Sequence, residues 1–115
     1  MDLDQAIQKH SEWRTKFRSA ISKKESMDES TISKDDCCEL GKWLHSDAKV
    51  KKLYSYQECL TKHARFHQEA GKVAKLINAK RYPEAEAAID AGSSYSTASS
   101  EVGAAIIKLK KEAAG

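Results

Sequence analysis

The chain has 115 residues, with 20 Lys or Arg against 17 Asp or Glu, a formal net charge of +3. That length suits one domain spanning 1–115, long enough for one real core. Basic and acidic residues are interspersed and no basic stripe with interleaved aromatics appears, which argues against nucleic-acid binding; no apolar run approaches membrane-spanning length. No secretory leader follows Met1. Three cysteines are an odd number, which argues against a disulfide framework and fits a reducing, cytoplasmic setting.

The spacing predicts a first helix over about 2–24. Leu3, Ala6, His10, Trp13, Phe17 and Ala20 recur at three and four residues, the stripe a helix buries. Asp2 and Asp4 suit its N-terminus, Lys23 and Lys24 its C-terminus. From 25 to 34 the periodicity stops and the segment reads as a connector. Residues 33–36 then look like a cap for a short helix carrying Cys37-Cys38-Glu39-Leu40-Gly41-Lys42-Trp43-Leu44. His45-Ser46-Asp47 reads as the turn out of it.

A long helix is expected over about 48–79, with Leu53, Tyr56, Leu60, His63, His67, Ala70, Ala74 and Ile77 as its buried seam. A turn follows, and Pro83 opens a final helix expected to continue to about 113. Gly92-Ser93-Ser94 is a soft spot within it, but the stripe Ala85, Ala88, Gly92, Tyr95, Ser99, Val102, Ile106, Leu109 and Ala113 stays in register across it. No strand pattern competes. The fold class is all-α, an antiparallel four-helix bundle of three long helices and one short helix bearing the Cys motif. The short helix leaves one side thinly covered, which a homodimer would complete.

Three histidines, His10, His63 and His67, stand where a seam would carry leucine. Burying imidazoles has a desolvation cost unless something satisfies them. His63 and His67, four apart, lie one turn apart on one helix face and can converge on one ion. Zinc takes nitrogen and sulfur donors in tetrahedral geometry, so three histidines and one cysteine fill it. Cys59, His63 and His67 form an i, i+4, i+8 row whose ends are about 12 Å apart, too far for one ion. A cysteine from another element, Cys37 or Cys38, is easier. His45 lies in a turn, off any stripe.

The blocks His10-x-x-Trp13, Cys38-x-Leu40-Gly41-x-Trp43-Leu44 and His63-x-x-Phe66-His67 with Ala70 resemble the chemoreceptor zinc-binding (CZB) family, over essentially the whole chain. The resemblance implies zinc held by His10, Cys38, His63 and His67, with Cys38 aligned to the Cys-x-Leu-Gly motif. It implies a cytoplasmic bacterial sensory module, dimeric and helical, attached to a chemoreceptor or a diguanylate cyclase. The chain would then be an isolated regulatory domain, or a piece of a larger protein with a separate signalling output domain. Cys37 and Cys59 are additions to that pattern, read as ordinary thiols.

The expected role is a zinc-binding regulatory domain, not an enzyme, that signals through zinc occupancy or oxidation of Cys38. A closed four-ligand zinc site leaves no position for substrate. Trp13, Trp43 and Phe66 are expected to pack the core and wall the site from water. Ser99 reads as a small packing residue, and Lys108, Lys110 and Lys111 as a solvated helix end. Two other classes compete. A four-helix metalloenzyme or oxygen carrier needs inward carboxylates, which the stripes lack. A plain dimerisation bundle would keep its histidines as structural residues.

Overall fold

The structure, a computed structural model, describes residues 2–34 and 38–114. Regular structure among them is helical throughout: α1 (Leu3–Ser11), α2 (Trp13–Lys23), α3 (Glu29–Ile32), α4 (Glu39–Ser46), α5 (Tyr56–Asn78), α6 (Tyr82–Ala88) and α7 (Ser94–Ala114), with a 3-10 turn at Val50–Lys52. The helical class agrees with the sequence pattern, but several of the expected element boundaries do not hold.

The first expected helix is divided at one residue, Glu12, which stays in right-handed helical geometry. Asp2 caps α1 as expected, its Oδ1 accepting the amides of Asp4 and Gln5 at 3.1 and 3.2 Å. Lys24 ends α2 in the left-handed region, at φ 57°. The expected connector contains α3. Asp28 starts it, accepting the Thr31 amide and the hydroxyls of Ser30 and Thr31. These hydrogen bonds hold the Asp28 carboxyl below its usual range.

The long helix begins at Tyr56, later than expected. Asp47 Oδ1 accepts the amides of Lys49 and Val50 at 2.8 and 3.2 Å, which starts the 3-10 turn, and Leu53 is extended. Val50, Leu53, Tyr56 and Leu60 keep helical spacing through this break, so the pattern alone does not reveal it. The seam of α5 is also rotated at its start: Cys59 is buried and Leu60 only half-buried. Burial pushes the Cys59 thiol up to about 11, so it remains a protonated core residue.

The final helix is two. α6 ends at Ala88, and the chain turns through Gly92 at φ +86° before α7 starts. Ser93 Oγ accepts the Ser96 amide at 3.1 Å and caps the new start. The soft spot therefore breaks the helix although the stripe stays in register. Along α5 and α7 the cross-links are Ser55 with Glu112, Glu58 with Lys108 and Lys62 with Glu101, numbers rising on one helix as they fall on the other. Phe17, Phe66, Val73, Ile77, Tyr95, Val102, Ile106 and Leu109 form the centre of the core. Tyr95 meets both Phe17 and Phe66 at ring-centroid distances of 5.6 Å. α5 is the spine against which the rest packs, and the candidate site lies on its buried face.

Candidate metal centre

His63 and His67 project from one face of α5. α1 supplies His10 from its last turn, and α4 supplies Cys38 as its N-cap. One nitrogen from each histidine and the sulfur of Cys38 all lie within 4.8 Å of one another. His63 Nε2 is central. It lies 3.1 Å from Nε2 of both His10 and His67 and 3.2 Å from Cys38 Sγ; His67 Nε2 is 3.6 Å from the same sulfur. The three histidines are 6%, 0% and 3% exposed in chain order, so water does not share these contacts freely.

Backbone carbonyls orient two of the rings. His10 Nδ1 donates to the Ala6 carbonyl at 2.7 Å, and His67 Nδ1 donates to the Ile32 carbonyl at 2.9 Å. A carbonyl oxygen only accepts, so each Nδ1 carries the hydrogen and each ring turns its Nε2 inward. Burial, the largest effect, lowers His10 from 6.5 to about 4 despite the Ala6 hydrogen bond. Burial first, then the electrostatic influence of His67, His10 and His45, lowers His63 to about 2. These rings are neutral at ordinary pH. Nitrogen and sulfur donors thus converge at hydrogen-bonding distance, and among the described residues His63 Nδ1 is buried without a hydrogen-bond partner. A cation with affinity for nitrogen and sulfur resolves that crowding.

The spacing fits such a cation. Zinc–nitrogen bonds near 2.05 Å and a zinc–sulfur bond near 2.3 Å give tetrahedral edges of about 3.3 Å between nitrogens and about 3.6 Å from nitrogen to sulfur. Four of the six donor-to-donor distances, 3.1, 3.1, 3.2 and 3.6 Å, lie within about 0.4 Å of those edges, and all six are within 4.8 Å. Cys38 Sγ also accepts the Gly41 amide at 3.3 Å. That amide and the dipole of α4 favour negative charge on the sulfur. The cap of α4 is therefore Cys38 itself rather than the expected 33–36 stretch. Cys37, the other candidate from that element, lies outside the described residues, as do 35 and 36.

The sequence profile of the chemoreceptor zinc-binding domain matches residues 10–74. The chain belongs to the CZB family. The matched stretch contains all three motif blocks, while α6 and α7 lie beyond it. Searches of curated proteins and of solved structures returned no match. CZB domains form a regulatory, zinc-binding signalling family rather than a catalytic one. No helix among the described residues is long and apolar enough to cross a membrane.

In this CZB domain the structure brings His10, Cys38, His63 and His67 together and leaves Cys59 in the core apart from them. His45 sits exposed in the last turn of α4 rather than in a turn after it. Phe66 meets His10 and His67 edge-on, at centroid distances of 5.1 and 5.4 Å. Trp13 lies against Phe17, with Lys16 Nζ 4.6 Å from its ring centre. Trp43 Nε1 donates to Asp47 at 3.0 Å, which holds the end of α4. Sequence reasoning missed the two carbonyls that orient the imidazoles. The signal for one was present: Asp28 and Thr31 frame a cap, and Ile32 is apolar within a polar run.

Proposed function

We propose that this domain holds one zinc ion through His10, Cys38, His63 and His67 and acts as a regulatory module whose state depends on that occupancy. The convergence of four donors, two of them tautomerically fixed by backbone carbonyls, carries the reading. Bound zinc would supply a cross-link between α1, α4 and α5 and would stabilise the Cys38 thiolate. With one thiolate and three neutral imidazoles the centre bears one net positive charge. All four donor positions are used, so no site for a substrate remains, which supports a sensory rather than an enzymatic role. Among the described residues no carboxylate belongs to the cluster, which disfavours a dinuclear iron enzyme or oxygen carrier.

The chain's own residues provide a switch. The imidazoles sit on α1 and α5, whereas the sulfur caps the short α4. α4 is also held at its far end, where Tyr56 Oη donates to the Leu44 carbonyl at 2.9 Å. Loss of Cys38 as a donor, through oxidation of its sulfur or competition for the metal, frees the N-terminus of α4 while Tyr56 retains its C-terminus. α4 then pivots rather than departs. We read α1–α2, α4, α5 and α6–α7 as the arms of an antiparallel four-helix bundle. The domain would work as a cytoplasmic homodimer, passing the motion of α4 to a chemoreceptor or diguanylate cyclase output domain.

Cys38→Ser tests this reading. The expected result is zinc affinity at least tenfold weaker, the lower end for loss of a contact that fixes a metal site, with faster amide exchange across 38–46. Wild-type affinity together with wild-type protection there would overturn it.

A further inference from the structure

α3 and the residues flanking it touch α5 at three places on one face. Asn78 Oδ1 accepts the Met27 amide at 2.7 Å, and Asn78 Nδ2 donates to the Met27 carbonyl at 2.8 Å. At Gly71 the approach is closer still: a Cβ built there would lie 2.6 Å from Ser33 Cβ and 3.1 Å from Ser33 Cα. At His67, Nδ1 donates to the Ile32 carbonyl at 2.9 Å. Positions 67, 71 and 78 are separated by one and then two helical turns, which places them on one stripe of α5. Cβ atoms in proteins essentially never sit at 2.6 Å from such a neighbour. The obstacle at Ser33 is the root of a side chain and its backbone, not a flexible tip. Any side chain at 71 must therefore push the 32–33 backbone away from α5, and Ile32 contributes the carbonyl that His67 needs.

We propose that Gly71 is a positioning residue for the metal centre. Its missing side chain lets the 32–33 backbone reach α5, so that the Ile32 carbonyl holds His67 as the Nδ1–H tautomer with Nε2 facing the other donors. This rests on the zinc reading given above and adds what sets one of its ligands. Without the carbonyl, either nitrogen of His67 takes the proton and the ring loses its fixed direction. Zinc binding must then re-order it. Ordinary packing does not distinguish Gly71 in this way from Gly103 of α7, where a Cβ would meet nothing within 4 Å.

The test is Gly71→Ala with two readouts: the His67 tautomer by nitrogen-15 NMR of zinc-free protein, and zinc affinity by chelator competition. Wild type should show the Nδ1–H tautomer. Gly71→Ala should lose that preference and bind zinc about tenfold to a hundredfold more weakly, as expected when the partner of a ligand histidine is displaced. Adding Ser33→Gly removes the atom at the 2.6 Å contact and should recover most of both losses, while Gly103→Ala should change neither. An unchanged tautomer and affinity in Gly71→Ala overturns the proposal. So does any defect, including a folding defect, that Ser33→Gly fails to relieve. A wild-type chain with no zinc affinity would overturn the function proposed above, and the tautomer would then decide the role of Gly71 alone.

Discussion

Burial keeps His10 and His63 neutral, and that has a consequence for stability. Their rings titrate near 4 and near 2 in the folded chain, against 6.5 when unfolded. Between those values the unfolded chain binds protons that the folded chain refuses, so stability falls as pH drops below about 6.5. For zinc-free protein the slope approaches about 1.4 kcal/mol per pH unit for each such histidine. Urea unfolding at pH 7 and pH 5 measures it, and His10→Leu should flatten the dependence; stability equal at both pH values would contradict the burial of neutral rings. The gathering of His10, His63 and His67 was legible because histidine at a seam position is an anomaly that side-chain identity exposes, whereas the choice of Cys38 over Cys37 rested on the resemblance to the family motif. The Ala6 carbonyl was not legible, since every residue carries one and only the folded backbone shows where it points; for Ile32 the Asp28 cap marked a turn but not the direction of its carbonyl. Gly71 is illegible for a related reason: its importance lies in an atom it lacks, opposite Ser33, which is distant in sequence.

At the scale of elements, the helical class and the amphipathic stripes were readable, while several boundaries were not. A stripe that stays in register across a break reads as one helix, because periodicity reports which face is buried and not whether the hydrogen-bond ladder is intact. Asp47 and the extended Leu53 interrupt the ladder before α5, and Gly92 interrupts it before α7. Gly92 sits at φ +86° in open space, so Gly92→Ala should destabilise through the backbone alone, by about 1–2 kcal/mol. Gly103 lies inside α7 with room for a methyl group, so Gly103→Ala should stabilise by roughly 0.5–1 kcal/mol. Thermal unfolding of both variants checks the pair. Equal effects would mean that α6 and α7 form the continuous helix that the stripe suggests. α3 was hidden for another reason: at four residues it is too short to show a period.

Across the whole molecule, α5 joins the core to the centre. Its buried face carries Phe66, Val73 and Ile77 along with His63 and His67, so the donors are set in the same packing that holds the fold. The ion pairs around it, Lys62 with Glu101, Lys108 with Glu58 and Lys110 with Asp4, are partly or largely exposed and contribute little individually. A bound ion joining α1, α4 and α5 would outweigh them: ligand present at a thousand times its dissociation constant adds about 4 kcal/mol. The most direct measurement is the metal content of purified, untagged protein, repeated on Cys38→Ser and His63→Ala. One tightly held zinc per chain in the wild type, lost or weakened in both variants, is the predicted result. A wild-type chain that holds no zinc after addition and dialysis, or two variants that hold it as firmly as the wild type, would contradict the account.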